Sequence, residues 1–386
     1  MKIFYVHTSY EQQGGEDQVF ANEVALMQPK HEVRQLLFNN GGKKYQMLFK
    51  FLLAPYNPIS RYKFERILKK EKPDLVHIHN WHFCASPALI LAAKKSAIPL
   101  VLTLHNFRLL CPSATLFHKD KIFVDSLNGR FPWKAVKEKV YRNSYLQTFW
   151  LAFTVNYHKW RKTWEAVNQY ITLSSFAERL YLESGLKLKP EQLTVKPNFV
   201  SDPGYAIEHR GQHFLFVGRL CVEKGVHHLL DAFKVLPYQL TVVGDGPLRE
   251  YVETAATVNS NIQYRGKQES AVVLELMKSA SALIFPSIWF EGMPITILEA
   301  FATGTPVIAG RLGVMQSLIT HEKNGILYEA GDANALHNAI SSWASKIPAS
   351  RREISKAARK EYERHYTPEA NLNQILTIYN SVIKNN

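Results

Sequence analysis

Residues 282–309, ALIFPSIWFEGMPITILEAFATGTPVIA, decide how the rest of the chain is read. The opening ALIF is uninterrupted apolar sequence ending at Pro286–Ser287, which reads as a strand buried on both faces. A loop carries Glu291, Gly292, Met293 and Pro294. A helix is expected from about Ile295 to Thr303, with proline before its start and Gly304 past its end. A second apolar strand, TPVIAG at 305–310, follows. Ligands of such sheets bind outside the carboxyl ends of the strands. The helix start near Ile295 offers unpaired backbone N–H groups and a positive dipole end, which suits a phosphate. Glu299, about one turn inside the helix, is placed for a ribose diol, and Glu291 for another hydroxylated group. Two glutamates at that separation are otherwise ordinary solvated surface; the surrounding strand, loop and helix give the spacing its meaning.

The same alternation extends in both directions. HFLFVG (213–218), QLTVVG (239–244) and NIQYRG (261–266) are expected strands of the second half. KIFYVH (2–7), EVRQLLF (32–38), DLVHIH (74–79), LVLTLH (100–105) and YITLS (170–174) read as buried strands of the first. Amphipathic helical stretches lie between them, as at 16–28, 60–71 and 86–96. Parallel sheets covered on both faces account for this pattern. VKPNFVSDPG (195–204) is rich in Pro, Asn and Gly and reads as a linker. The expected organisation is α/β, with two tandem Rossmann-like doubly wound domains facing across a cleft. Their bounds are 1–196 and 205–367, joined by 197–204, with a last helix at about 368–386 packing back on the first domain.

Length and charge narrow the function classes. The chain has 386 residues and a formal net charge of +14. Residues 1–200 carry 29 Lys+Arg against 15 Asp+Glu, and residues 201–386 carry 18 against 18, so the whole excess lies in the first half. An anionic partner for that half is indicated, with a merely solubilising basic surface as the alternative. Three isolated cysteines, Cys84, Cys111 and Cys221, fit free thiols in a reducing compartment. The N-terminus lacks the pattern of a signal peptide, and no window is apolar enough for a transmembrane helix.

Further motifs sit at strand ends. In VGRLCVEKGVHHLLDAF (217–233), Gly218 ends a strand, and Arg219 and Lys224 flank the following loop. Two cations there suit a diphosphate and can neutralise a phosphate leaving group. VVGDGPLRE (242–250) repeats the device with Gly244 and Gly246, whose backbones admit close approach of a ligand. GGED (14–17) follows the first strand. His77, His79 and His82 cluster in VHIHNWH, with His77 and His79 on one face of the strand. Zinc is conceivable there, with His105 nearby; polar lining of an acceptor site, with Asn80 and Trp81 packing on a sugar, is preferred. Residues 130–164 interleave Trp and Tyr with Lys and Arg, which suits either an anionic membrane surface or a helix burying its aromatics. No nucleic-acid-binding pattern accompanies the charge.

The set GGED, TLHN, FVGRLCVEKG, VVGDGP and Glu291-x7-Glu299, closed by NGILYEAGDANAL (324–336), resembles glycosyltransferase family 4 over nearly the whole chain. The resemblance implies the GT-B fold and transfer with retention of anomeric configuration. It implies that Arg219 and Lys224 bind the donor diphosphate and Glu299 the ribose. Glu291 would bind the transferred sugar, with the backbone around Gly292 and Met293 beside it. Arg265 and Gly266 would position the base, Gly15 would lie near the phosphates, and His105 would face the transferred sugar. The loop after Glu291 reads Gly-Met-Pro where the family often has Gly-Phe-Gly, and only Cys111 stands where relatives carry further cysteines. No Asp-x-Asp occurs, so no metal cofactor is expected. The expected partners are a nucleotide-sugar donor, UDP-sugar before GDP-sugar, a lipid-linked or polysaccharide acceptor, and the inner face of a membrane. A non-catalytic sugar-nucleotide-binding protein and a sugar-nucleotide epimerase are the alternatives.

Overall fold

The computed structural model describes residues 1–9, 14–206 and 210–385. The chain divides into two compact units: residues 1–116, 123–198 and from 371 onward, and residues 117–122 and 199–370. The first unit is built on a parallel sheet of β1 (Lys2–Ser9), β2 (Glu32–Asn39), β3 (Leu75–Ile78), β4 (Leu100–Leu104), β7 (Gln169–Thr172) and β8 (Leu193–Val195), in the order β2-β1-β3-β4-β7-β8. A two-stranded hairpin, β5 (Phe117–His118) and β6 (Lys121–Ile122), is antiparallel. The second unit holds β9 (Phe214–Val217), β10 (Leu240–Val243), β11 (Ile262–Tyr264), β12 (Ala282–Phe285), β13 (Val307–Gly310) and β14 (Gly325–Tyr328). Their order is β11-β10-β9-β12-β13-β14, again all parallel.

The expected strands form; β1 and β2 run past their expected ends, β7 starts one residue early, and the others are trimmed. β8, β14 and the hairpin were not anticipated, being only two to four residues long. One expectation is corrected. Residues 32–38 are not buried on both faces: β2 is an edge strand in which Glu32, Arg34, Gln35 and Leu37 are exposed and Leu36 and Phe38 are buried. A strand with a neighbour on one side only is covered by helices only in part, and alternation then places its polar residues in water.

Apolar strand faces explain both cores. In the second unit Phe214, Phe216, Leu240, Val242, Ile284 and Ile308 of the sheet pack with Leu229, Leu230 and Phe233 of the helix Val226–Phe233 and Trp343 of the helix Ala333–Ser345. In the first, Ile3, Tyr5, Leu75 and Val101 are covered by Phe20, Val24 and Met27 of the helix Gly15–Met27. Leu372, Ile375, Tyr379 and Val382 of the final helix, Pro368–Lys384, cover the same sheet.

Strand order places the site. In the second sheet β9 lies between β10 and β12, so chain connections leave β9 and β12 in opposite directions across the sheet. A crevice opens at such a switch point, beyond the carboxyl ends of the strands. The loops after β9 and β12 carry Arg219, Lys224 and Glu291. In the first sheet the corresponding place lies between β1 and β3.

Candidate active site

The loop after β12 is tied to the loop after β9. Ile288 N–H donates to the Glu223 carbonyl at 3.0 Å, and Ser287 Oγ lies 3.2 Å from the same oxygen. Ser287 Oγ is also 2.5 Å from Glu291 Oε1, and Lys224 Nζ donates to that carboxylate oxygen at 2.7 Å. Glu291 is buried, so its charge is matched by a cation and a hydroxyl rather than by water. The Lys224 ammonium lies 5.4 Å from the Phe285 ring centre and 5.7 Å from that of Trp289. Aromatic faces both attract the cation and exclude solvent from it. Ser287 and Trp289 carried no assigned role in the sequence reading; their position at a strand end beside Glu291 was the available signal.

Gly225 is the hinge of this contact. It has φ of 71°, and a Cβ there would lie 2.0 Å from the Pro286 carbonyl oxygen. Gly225→Ala is expected to destabilise the protein by about 3 kcal/mol or more, because a left-handed conformation and a backbone collision coincide. Chemical denaturation of the variant measures this; a change of about 0.5 kcal/mol or less, the size of an ordinary surface effect, would show that the loops separate freely.

Glu299 is treated differently. It lies in the helix Ile295–Ala302, is half-buried, and its carboxylate has no hydrogen-bond partner among the described residues. Burial pushes its carboxyl up to about 7. Pro294 precedes the helix without a side-chain cap, and the Ile297 N–H bonds to the Pro294 carbonyl. The N–H groups of Ile295 and Thr296 lie before the first intrahelical acceptor and are available to a ligand. Gly292 and Met293 form the loop leading to it, with Met293 buried.

The remaining expected residues lie at the same edge of the sheet. Arg219 is exposed, with Nη2 2.5 Å from Glu223 Oε1. Gly218 N–H donates to the Val243 carbonyl at 3.1 Å, and Gly244 N–H to the Gly266 carbonyl at 2.9 Å. A Cβ on Gly244 would meet the Gly218 carbonyl oxygen at 1.9 Å, so its lack of a side chain lets two backbone turns touch. Arg265 is exposed and donates from Nε to Gln263 Oε1 at 3.2 Å.

In the first unit Gly15 opens its helix with open space where a Cβ would stand. Asp17 bonds back to the Gly14 N–H at 2.8 Å and to His7 Nε2 at 2.8 Å. His105, just beyond β4, is buried with Nε2 3.0 Å from His79 Nδ1. His77 and His79 share a face, their rings 4.3 Å apart. Glu23, His77 and His79 form the group whose ligand-type atoms come within 4.8 Å of one another. Those atoms already bond within the protein: His77 to Thr103 and Tyr379, His79 to Glu23 and His105, and Glu23 to Lys196. The sequence reading missed Glu23 and Lys196, which are distant in sequence and reach the cluster only through folding. His82 stands apart from this group, its ring tilted against that of Phe83. Trp81 and Asn80, expected to pack on a sugar, are both buried. Trp81 is buried with its ring 5.4 Å from Trp164, and Asn80 holds the Thr8 carbonyl and the His82 N–H.

Residues 130–164 divide between both readings. Leu151, Ala152, Thr154 and His158 of the helix Tyr145–Trp160 are buried, whereas Trp133, Tyr145, Leu146 and Trp160 are exposed. No helix among the described residues is long and apolar enough to cross a membrane.

Two Rossmann-like parallel sheets in tandem, with a cationic strand-end crevice in the second, define a protein of the GT-B class. The family pattern described as Glycosyltransferase Family 4 matches residues 4–202, and that described as Glycosyl transferases group 1 matches 201–361. The chain belongs to glycosyltransferase family 4. It is similar to a D-rhamnosyltransferase of Pseudomonas aeruginosa, with 30% identity over 40% of this chain and 41% of that protein. It is also similar to an Escherichia coli UDP-Gal:alpha-D-GlcNAc-diphosphoundecaprenol alpha-1,3-galactosyltransferase, with 24% identity over 73% of this chain and 68% of that one. Among solved structures, Anabaena HepE in complex with UDP superposes with a TM-score of 0.71 at 17% identity, over 99% of this chain and 100% of that one. Sucrose-phosphate synthase from Thermosynechococcus elongatus gives 0.72 at 18% identity, over the full length of both chains.

Proposed function

We propose that this chain is a retaining glycosyltransferase that moves a sugar from a nucleotide-sugar donor, a UDP-sugar before a GDP-sugar, without a metal ion. The carrying observation is the buried Lys224–Glu291–Ser287 contact at the switch point, with the unpartnered Glu299 in the adjoining helix. A donor diphosphate draws on Lys224, Arg219 and the N–H groups at Ile295 and Thr296. Glu291, still held by Ser287, then accepts a hydroxyl of the transferred sugar. Glu299 accepts the ribose hydroxyls, and Arg265 and Gly266 border the base. The acceptor oxygen bonds to the anomeric carbon as the carbon–phosphate oxygen bond breaks. The departing phosphate takes the acceptor proton, so no side chain is assigned as general base. Positive charge at the leaving group comes from side chains and a helix end, and the sequence has no Asp-x-Asp for metal. Proton NMR of candidate UDP- and GDP-sugars with acceptor tests this. Transfer with retained anomeric configuration in excess EDTA is expected; inversion, or loss of transfer in EDTA, overturns it.

The proposed acceptor is lipid-linked or a polysaccharide, reached at the inner face of a membrane in surface-polysaccharide or lipopolysaccharide synthesis. The E. coli galactosyltransferase named above acts on a diphosphoundecaprenol-linked sugar by its name, which supports this class. The helix Lys44–Leu52 has no buried residue and exposes Tyr45, Leu48, Phe49 and Leu52. Trp133 and Trp160 are likewise exposed, as are Lys137, Arg142, Arg161 and Lys162. Each such cation contributes about 1 kcal/mol near an anionic surface. Sedimentation with anionic vesicles at low salt is expected, with release at high salt and with neutral lipid. Replacing Lys137, Arg142, Arg161 and Lys162 by Gln should abolish it. Lys159 is left out because its Nζ holds the Gly129 carbonyl at 2.5 Å. Equal pelleting with neutral lipid would sink the electrostatic part.

A further inference from the structure

The first unit buries ionisable groups that the proposed transfer does not use. Glu23, His77, His79 and Lys196 are all inaccessible to solvent or nearly so. Lys196 Nζ lies 2.9 Å from Glu23 Oε2 and 3.1 Å from Asn371 Oδ1. Glu23 Oε1 lies 3.1 Å from His79 Nε2 and 3.2 Å from His77 Nδ1. His79 Nδ1 in turn lies 3.0 Å from His105 Nε2. Carboxylate, imidazole and imidazole thus form one line ending at the strand-end histidine.

The protons along this line are determined by its first member. Burial opposes the charge of Glu23, but the Lys196 ammonium holds its carboxyl well below the usual range. An ionised carboxylate only accepts, so His79 carries its proton on Nε2. Burial pushes His79 down to about 3, so its ring is neutral and Nδ1 holds a lone pair. That lone pair requires a donor from His105, which therefore carries hydrogen on Nε2. Burial and the neighbouring His79 hold His105 well below the usual range, so it too is neutral and its Nδ1 has a lone pair. No described residue bonds to that Nδ1. The opposite tautomer would set a lone pair of His79 against the Glu23 carboxylate.

We infer that Glu23 and His79 are positioning residues that hold His105 in the Nε2–H form, presenting Nδ1 as the acceptor for a sugar hydroxyl. This rests on the glycosyltransferase reading for its consequence, not for its geometry. A fixed lone pair selects a hydroxyl by direction, and Lys196 is the charge that sets it. Nothing in the second unit's crevice is needed to impose it.

Glu23→Gln makes a specific test. The Lys196 ammonium would face the amide oxygen, leaving the NH2 group toward His79. His79 would then carry hydrogen on Nδ1 and donate to His105 Nε2, so His105 would switch to the Nδ1–H form. Nitrogen-15 NMR of the imidazoles reads this directly. The unmodified protein is expected to show His105 protonated on Nε2, and Glu23→Gln to show it on Nδ1. Finding the Nδ1–H form or a doubly protonated ring in the unmodified protein overturns the inference, whether or not the variant folds. Glu23→Gln is also expected to lower kcat by about tenfold, the loss of one well-placed hydrogen bond, with UDP affinity within about twofold of the original. In a His105→Ala background the same change should alter kcat by less than about twofold. Equal losses in both backgrounds would assign Glu23 to structure alone. Absence of any sugar transfer by the unmodified protein would sink the proposed function while the NMR assignment stood or fell by itself.

Discussion

Lys224→Ala is expected to lower kcat by about 100- to 1000-fold, the usual consequence of removing one preorganised charge partner of a developing anion. The leaving diphosphate gains charge as the glycosidic bond breaks, and Lys224 is the half-buried cation nearest the loop that carries Glu291. Phe285 and Trp289 flank its ammonium, so less water screens it than screens Arg219. Arg219 is 61% exposed at its side chain and already paired with Glu223. Its replacement by alanine should therefore cost less, on the order of tenfold. UDP affinity should weaken less than turnover in Lys224→Ala, because charge on the phosphate grows in the transition state. Steady-state kinetics with a separate titration of UDP distinguishes the two. Undiminished transfer by the Arg219→Ala/Lys224→Ala double variant would show that neither residue serves the diphosphate.

Nucleotide binding should tighten as pH rises through about 7 and lose that dependence in Glu299→Gln. Burial raises the Glu299 carboxyl to about 7 and no described residue donates to it. Hydroxyls of a ribose diol donate to an ionised carboxylate better than to a protonated one, so bound nucleotide favours the charged form and releases a proton. UDP titrations from pH 6 to 8 are expected to show about a tenfold gain in affinity, one proton's worth per unit on the acid side of 7. The same shift acts on stability with the opposite slope. Between the ordinary carboxylate value and about 7 the folded chain binds the proton and the unfolded chain does not. The contribution of Glu299 is therefore fully present at low pH and is lost as pH rises through about 7. Glu299→Gln should accordingly be more stable than the parent at pH 8, on the order of 2 kcal/mol, and little different at pH 4. A parent protein with pH-independent UDP affinity would place the ribose elsewhere.

The architecture was legible because parallel strands buried on both faces leave a plain trace. ALIF at 282–285, with proline and glycine bracketing the following helix, specified strand, loop and helix without reference to any distant residue. β2 was misread for a tertiary reason: EVRQLLF is apolar enough for an interior strand, but its place at the sheet edge was decided by pairing with β1 alone. Gly244 shows the same limit, since a glycine states that the backbone can approach something closely but not what it approaches. The family motifs located Lys224, Glu291 and Glu299 in the chain; folding alone set their different electrostatics. Lys224 and Glu291 lie 67 residues apart and meet at 2.7 Å, whereas Glu299, eight residues further on, meets no cation among the described residues.

Local sequence thus determined the alternation of strands and helices, the position of the strand-end loops and the presence of acids and cations in them. These follow from periodicity, turn chemistry and capping, which act over a few residues. Only the tertiary structure decided which charges are paired. Glu23 is an ordinary helical glutamate in the sequence; it becomes the anchor of His79 and His105 because Lys196, 173 residues later, is buried against it. Charge pairing in the interior depends on distance and desolvation in space, and separation along the chain carries no information about either.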